Sequence, residues 1–264
     1  MSRIQVLVTT MHQSGFEKYA EMHLQTDAII ANQTNFNGYE KIEINGSHVQ
    51  LISTSTRGLS RNRNIALAHA DQATEFILFS DDDLVFSDGY EALIIEEFEK
   101  HPEAEVIKFN LHDLSTRKIS MKRISRFEKA TRKNMSASGV CGLVVRTETI
   151  RKNDLHFNEF FGTGTENYCG EDTIFLMKML DKKISFFRSP IDIAGINQGE
   201  STWFRGFDQK YFFVVGKVFR TIYPKLAYLL AIRGAWRFSS RKDCNMRFLH
   251  ILRCYLRGIK SHRR

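Results

Sequence analysis

Three aspartates stand in a row, Asp81-Asp82-Asp83, between the apolar runs FILF and LVF. Like charges on consecutive residues repel, so the arrangement is tolerated only where water or a cation takes up the charge. One reading is a strand-to-helix turn, because Asp is a common turn residue. The other is a site for a metal-bound nucleotide diphosphate. Mg²⁺ and Mn²⁺ take oxygen ligands, typically one or two carboxylates, while substrate phosphates fill the other positions. Asp81 and Asp83 have the D-x-D spacing for that, with Asp81 also facing the nucleotide and Asp82 between them.

A second acidic pair, Glu171-Asp172, follows the glycine-rich stretch FGTGTENYCG and opens the apolar-rich run TIFLMKML. Acids are favoured in the first turn of a helix by its free N–H groups and dipole, which accounts for one of them. Two acids fixed at the start of a rigid element after a glycine-rich loop also suit a general base, with Asp172 taking a proton from an incoming hydroxyl. A Walker A loop is absent, and GVCG and GTGTENYCG lack the GxGxxG spacing, so kinase and dinucleotide readings lose support. Phosphate affinity would have to come from elsewhere, and Arg57, Arg61 and Arg63 lie just upstream of the aspartates.

The elements that must position these residues alternate along the chain. Residues 4–9 and 27–31 read as buried strands around a helix at 16–24, and 39–44 with 48–52 as a hairpin across Asn45-Gly46. A helix at 58–69 leads to a strand at 75–79 ending at the aspartates. A helix at 88–100 ends at His101-Pro102, and a strand follows at 105–111. Residues 115–135 are basic and aperiodic, and 139–146 form a strand. Residues 171–180 are a helix, and two short strands at 184–187 and 191–193 close the sheet. Such alternation implies an α/β fold with a mostly parallel sheet covered on both faces, where ligands bind at the carboxyl ends of the strands.

With 264 residues and 42% hydrophobic content the chain can bury a substantial core. Its net charge of +8 is a C-terminal property, since residues 208–264 hold 14 basic and 2 acidic side chains. Nucleic acid ranks last among partners, because the preceding 207 residues are slightly acidic and carry no nucleic-acid motif. The tail mixes aromatic and aliphatic residues with Lys and Arg at helical intervals. It either lies on an anionic membrane surface or packs on the body or a second subunit, as in a homodimer. Four cysteines without CxxC spacing, an opening IQVLVTT without the pattern of a leader and no apolar run of spanning length lead to the expectation of a cytoplasmic protein, peripheral on the cytoplasmic face of the membrane.

Taken in order, the strand ending in Thr9-Thr10, the stretch GLSRNRNIALAHA, SDDD and GEDTIFL resemble the family 2 glycosyltransferases over roughly residues 3–195. The resemblance implies the GT-A fold, a Rossmann-like mixed sheet with helices on both faces. It also implies inverting transfer, by direct displacement, of a sugar from a nucleotide-diphospho-sugar, usually a UDP-sugar, to an acceptor hydroxyl, with Mn²⁺ or Mg²⁺ as cofactor.

By the same resemblance Thr9 and Thr10 lie against the nucleoside, and Asp27 or the pair Asn32 and Gln33 near base or ribose. Arg63 and Asn64 resemble the Arg-Asn pair of the helix before the metal strand, and Asp81 and Asp83 match the D-x-D that holds the metal; Arg57, from its place in the sequence, and Asp82 are expected on the donor side with them. Asp172 is the base, with Glu171 beside it. The chain departs from many members where Thr-Thr-Met-His replaces Pro-x-Tyr-Asn, and no histidine follows the last strand, so Gln198 or water would fill that metal position. Trp203 is a lid or core aromatic, or an acceptor platform. The expected organisation is a catalytic domain, 1–207, and a basic helical extension, 208–264, acting on a glycan or lipid-linked acceptor in surface-polysaccharide or lipid-linked glycan synthesis. The alternatives are a nucleotidyltransferase, which would need a basic phosphate loop that residues 9–15 do not supply, and a sugar-nucleotide or glycan-binding protein without turnover.

Overall fold

The computed structural model describes residues 2–114, 123–136, 138–197 and 206–261, so the expectations for Gln198, Trp203 and residues 115–122 fall outside the described residues. The chain opens with β1 (Ile4–Met11), α1 (Glu17–Glu21), β2 (Asp27–Gln33), β3 (Gly38–Ile44), β4 (Ser47–Thr54), α2 (Leu59–Ala68) and β5 (Phe76–Asp81). It continues through β6 (Leu84–Phe86), α3 (Tyr90–Lys100), β7 (Val106–Asp113), β8 (Glu128–Lys129), α4 (Arg132–Met135), β9 (Leu143–Arg146), α5 (Thr147–Lys152), α6 (Glu171–Asp181) and β10 (Phe186–Ile196). Three helices end it, α7 (Gln209–Ile222), α8 (Ala227–Ser239) and α9 (Phe248–Ser261).

The strands form one mixed sheet in the order β3-β4-β2-β1-β5-β9-β7-β10-β6, with β8 beside β10. The block β4-β2-β1-β5 is parallel, so Thr54, Gln33, Met11 and Asp81 all end on one edge. Strand period puts alternate residues on opposite faces. Val6, Val8, Ala28, Ile30 and Leu78 pack with Tyr90, Ile94 and Phe98 of α3 on one face. On the other, Leu7, Ile29, Ala31, Ile77 and Phe79 meet α2, α5 and α6 through Ala66, Ile150, Phe175 and Met177. Both faces are dry, which is why these strands read as continuous apolar runs rather than as alternation.

Strand β9 runs antiparallel to both β5 and β7. It is shorter than expected, because 139–142 turn into it. The two strands expected at 184–187 and 191–193 are one strand, β10, with register shifts between Arg188 and Ala194. Pro190 explains both the break in pattern and the irregularity, since it has no N–H for the ladder. The helix expected at 16–24 is the single turn-and-a-half of α1. The hairpin is present, and positive φ at both Asn45 and Gly46 identifies its turn as type I′, the hand that suits twisted strands. The short elements β6, β8, α4 and α5 carry too few residues to show a period.

The C-terminal helices have their own small core around Phe212, Ala231, Ala235, Ile251 and Tyr255. Asp208 caps α7, its side chain accepting from Tyr211 N at 2.7 Å, so the helical unit begins where the composition shifts. It does not stand apart from the body. Val218 packs with Phe161 and Ile174, and Lys217 Nζ donates to Asn167 Oδ1 at 2.8 Å. Helices α7 and α9 cross at backbone contact, because a Cβ on Gly216 would sit 2.3 Å from the Tyr255 carbonyl oxygen and one on Gly258 2.0 Å from that of Phe213. Gly258→Ala is therefore expected to force the helices apart at a cost of about 1–3 kcal/mol. Urea denaturation showing no loss would mean that the crossing is looser than this.

Candidate active site

Arg63 lies on α2, the helix that covers the strand ends on one face. It is buried, and its guanidinium rests over the Phe157 ring at 5.2 Å from the centroid. Phe157 in turn stacks on Phe175 at 3.9 Å and meets Phe79 edge-on at 5.6 Å, so the cation has a dry, rigid aromatic seat. From this seat Nη2 donates to both oxygens of Asp81, at 2.9 and 3.0 Å, and Nη1 donates to Asp172 Oδ1 at 2.5 Å. One cation thus joins the carboxylate at the end of β5 to the one at the start of α6.

The two acids are held on their other sides as well. Asp81 Oδ1 accepts from Thr9 Oγ1 at 2.8 Å, and Oδ2 from the Cys141 thiol at 3.3 Å. Asp172 Oδ2 accepts from Val140 N at 3.2 Å. Side-chain exposure of 31% for Asp81 and 25% for Asp172 keeps both open to the cleft. Burial pushes the Asp81 carboxyl up, but the charge and hydrogen bonds of Arg63, with those of Thr9 and Cys141, outweigh it and hold the group below the usual carboxylate range. Burial likewise opposes the Arg63 charge, and Asp172 and Asp81 more than restore it. The Cys141 thiol is pushed up by burial and by Asp81, so it is a neutral donor here rather than a nucleophile.

Local packing explains why α6 arrives at this point. Ser60 Oγ donates to the Phe161 carbonyl at 2.6 Å and Leu59 N to the Thr163 carbonyl at 2.8 Å, which docks the glycine-rich loop on the start of α2. Asn62 Nδ2 donates to the Ala31 carbonyl at 2.8 Å and ties α2 to the end of β2. Helix and loop are therefore both fixed to the sheet edge before Asp172 is reached.

The expected site residues divide into three groups. Thr9, Arg63, Asp81 and Asp172 come together as described. Thr10, Asp82, Asn32, Gln33 and Arg57 lie on the same edge but are engaged in holding it. Thr10 Oγ1 donates to Asp82 Oδ2 at 2.5 Å, Asn32 brackets Gln13 through both of its amide groups, Gln33 Oε1 accepts from Gly58 N, and Arg57 is tied to the Thr34 carbonyl and Asn35.

The third group is displaced. Asp27 opens β2 at the opposite end of the strand, about 20 Å from the site by strand rise, where it accepts from His48 N. Asn64 points away from the cleft to Phe157 and Glu159, and Arg61 pairs with Glu159, because α2 turns successive residues by about 100°. Glu171 tucks beneath Gly162, one of its oxygens buried without a partner, and does not share the cleft with Asp172. Its carboxyl is pushed up to about 7 by burial and then by Asp172.

The acids also separate by their capacity to hold a cation. Two bonds reach each oxygen of Asp81, which fills the lone pairs of a carboxylate. In this arrangement the Asp81 oxygens are engaged by Arg63, Thr9 and Cys141. Asp83 is open to solvent at its tip, yet loss of water and the neighbouring Asp81 charge push its carboxyl up to about 6. A cation would relieve that strain. Among the described residues no group of three or more His, Cys, Asp or Glu is arranged for a metal.

Sequence reasoning missed Phe157, Cys141, Val140 and Lys108. The buried Lys108 Nζ donates to the Cys141 carbonyl and is pushed down to about 8 by burial. A lysine within the strand 105–111 was the one visible signal among these.

Residues 33–156 match the family model described as Glycosyl transferase family 2, a span that includes Arg63 and Asp81–Asp83 and stops before Asp172. No curated protein matches the chain. Residues 1–349 of S. aureus TarS in complex with UDP-GlcNAc are similar in structure, with a TM-score of 0.59 and 15% identity, covering 100% of this chain and 74% of that one. The same fragment in complex with UDP gives 0.58 and 16% over 97% and 71%. The longer S. aureus TarS gives 0.57 and 16% over 100% and 44%. At such identity the likeness shows the fold, a GT-A arrangement that extends through the C-terminal helices.

Two outcomes are expected from the electrostatics. Arg63→Ala leaves two carboxylates without their cation and should cost about 3–5 kcal/mol in urea denaturation, and Arg63→Lys should recover only part of it, because a point charge cannot serve both acids. Glu171 binds its proton more tightly folded than unfolded, so its unfavourable contribution is absent below about pH 4.5 and grows as pH rises to about 7. Glu171→Gln should therefore raise stability at pH 8 by up to about 3 kcal/mol and change little at pH 4. An equal effect at both pH values would contradict this.

Proposed function

We propose that the chain is a family 2 glycosyl transferase, the family whose model matches residues 33–156, and that it moves a sugar from a UDP-sugar to an acceptor hydroxyl with inversion, using Asp172 as the general base. The observation that carries the reading is the Arg63 bridge. It fixes a half-open carboxylate, Asp172, at the same sheet edge as the aspartates that follow β5.

The diphosphate lies along this edge, near Asp83 and the strand ends, where the open positions of the parallel block gather. Asp172 accepts the proton of the acceptor hydroxyl through its free lone pairs as the oxygen attacks the anomeric carbon from the face opposite the diphosphate. The bond to the diphosphate breaks in the same step, which inverts the centre. Arg63 and the Val140 N–H keep the carboxylate aimed during transfer. The N-terminal dipole of α6 favours negative charge at this spot. Asp83 with the diphosphate oxygens would hold a divalent cation, which would offset the charge growing on the leaving group. Asp81 acts through Arg63 and Thr9, as a positioning residue.

The donor reading draws on the UDP and UDP-GlcNAc complexes of TarS, which shares the fold. The acceptor is a hydroxyl of a glycan or lipid-linked glycan, as in surface-polysaccharide assembly.

Asp172→Asn keeps an acceptor for Arg63 and removes the base. It should lower kcat by about 10²–10⁴-fold while donor binding stays the same. Asp83→Ala should abolish the added thermal shift that UDP gives in Mn²⁺ over UDP alone. Full turnover in the first variant would remove Asp172 from its role, and an unchanged metal increment in the second would do the same for Asp83.

A further inference from the structure

Helix α8 is built the wrong way round for a helix that serves only the core. The side chains it turns inward are Ala227, Ala231 and Ala235, all fully buried, while large apolar residues face outward, Leu229 at 63% and Trp236 at 71% exposure. Leu226 and Ile232 are exposed with them, and the spacing 229, 232, 236 puts these side chains along one stripe. A small-residue stripe inward lets α8 lie close on α9. The outward stripe has no partner among the described residues, yet exposing it to water is unfavourable. Arg233 and Arg237 stand on the same outward face, and α8 contains no acidic residue.

We propose that this face of α8 is the docking surface for an anionic lipid bilayer, with Leu229, Ile232 and Trp236 entering the headgroup boundary and Arg233 and Arg237 paired with lipid phosphates. Charge decides between occupants. A second copy meeting α8 face to face would bring the same two arginines against their own images without a carboxylate in α8 to pair them. An anionic surface supplies what the helix lacks, and the excess of 14 basic over 2 acidic residues in 208–264 adds attraction. Trp at a lipid headgroup boundary has an apolar ring and a polar N–H that suit that depth. No described helix is long and apolar enough to cross a membrane, so the contact is one of lying on the surface. The inference stands on α8 alone and does not need the transferase reading.

The test is sedimentation of the full chain with phosphatidylcholine vesicles, with and without phosphatidylglycerol, at low and high salt. Binding is expected to the phosphatidylglycerol vesicles, weakening with salt. R233Q/R237Q should weaken it by roughly tenfold or more, and L229S/W236S should do the same at unchanged thermal stability. In a Trp203→Phe background, Trp236 emission should shift to the blue on binding. Absence of vesicle binding, binding that the four substitutions leave unchanged, or a solution dimer dissolved by them would each overturn the proposal, the last in favour of a second copy as occupant.

Discussion

A guanidinium without water around it, facing two carboxylates, is an expensive thing to bury, and it persists only when each charge finds a partner. Arg63 meets that condition with Asp81 on one side and Asp172 on the other. The two acids come from elements 91 residues apart in sequence, so the ion bridge is also what registers the loop before α6 against the central strand β5. Thr9, Cys141 and Val140 add donors that leave the acids little freedom to turn. A catalytic carboxylate must be held in a productive direction by groups that are themselves locked, and here the lock is the bridge plus the aromatic seat beneath it.

The C-terminal helices belong to the same support. Val218 presses on Phe161 and Ile174, and Lys217 reaches Asn167, so α7 backs the glycine-rich loop from outside while Ser60 holds it from inside. The three helices share a core of their own, and α7 also packs on the body.

How much of this could be read from the sequence depended on the length of the pattern. The parallel block was legible, because buried strands such as 27–31 and 76–79 are apolar runs between turn signals, and so were α2, α3 and α6. The short elements β6, β8, α4 and α5 were not, and Pro190 split β10 into what looked like two strands. Among site residues, D-x-D and Glu171-Asp172 were visible as motifs. Which of Glu171 and Asp172 faces the cleft was not, since that follows from helix rotation, and neither were the four hydrogen bonds that Thr9, Arg63 and Cys141 make to Asp81. Asp27 misled because an acid at a strand start and one at a strand end look alike in sequence. The aromatic seat escaped notice because Phe157 sits in a loop with no period.

Strand β9 carries one further consequence. In an all-parallel sheet every strand leaves the ligand edge by its C-terminal end. Here β9, which like β3, β6 and β8 has the opposite polarity, enters from that edge between β5 and β7, and the turn into it delivers Val140 N–H to Asp172 and the Cys141 thiol to Asp81. Reversing one strand thus converts a boundary of outgoing chain ends into one with inward-pointing donors. The sheet itself supplies polar contacts to both acids, and an insertion in the 139–142 turn would be felt at the reacting centre before it was felt in the core.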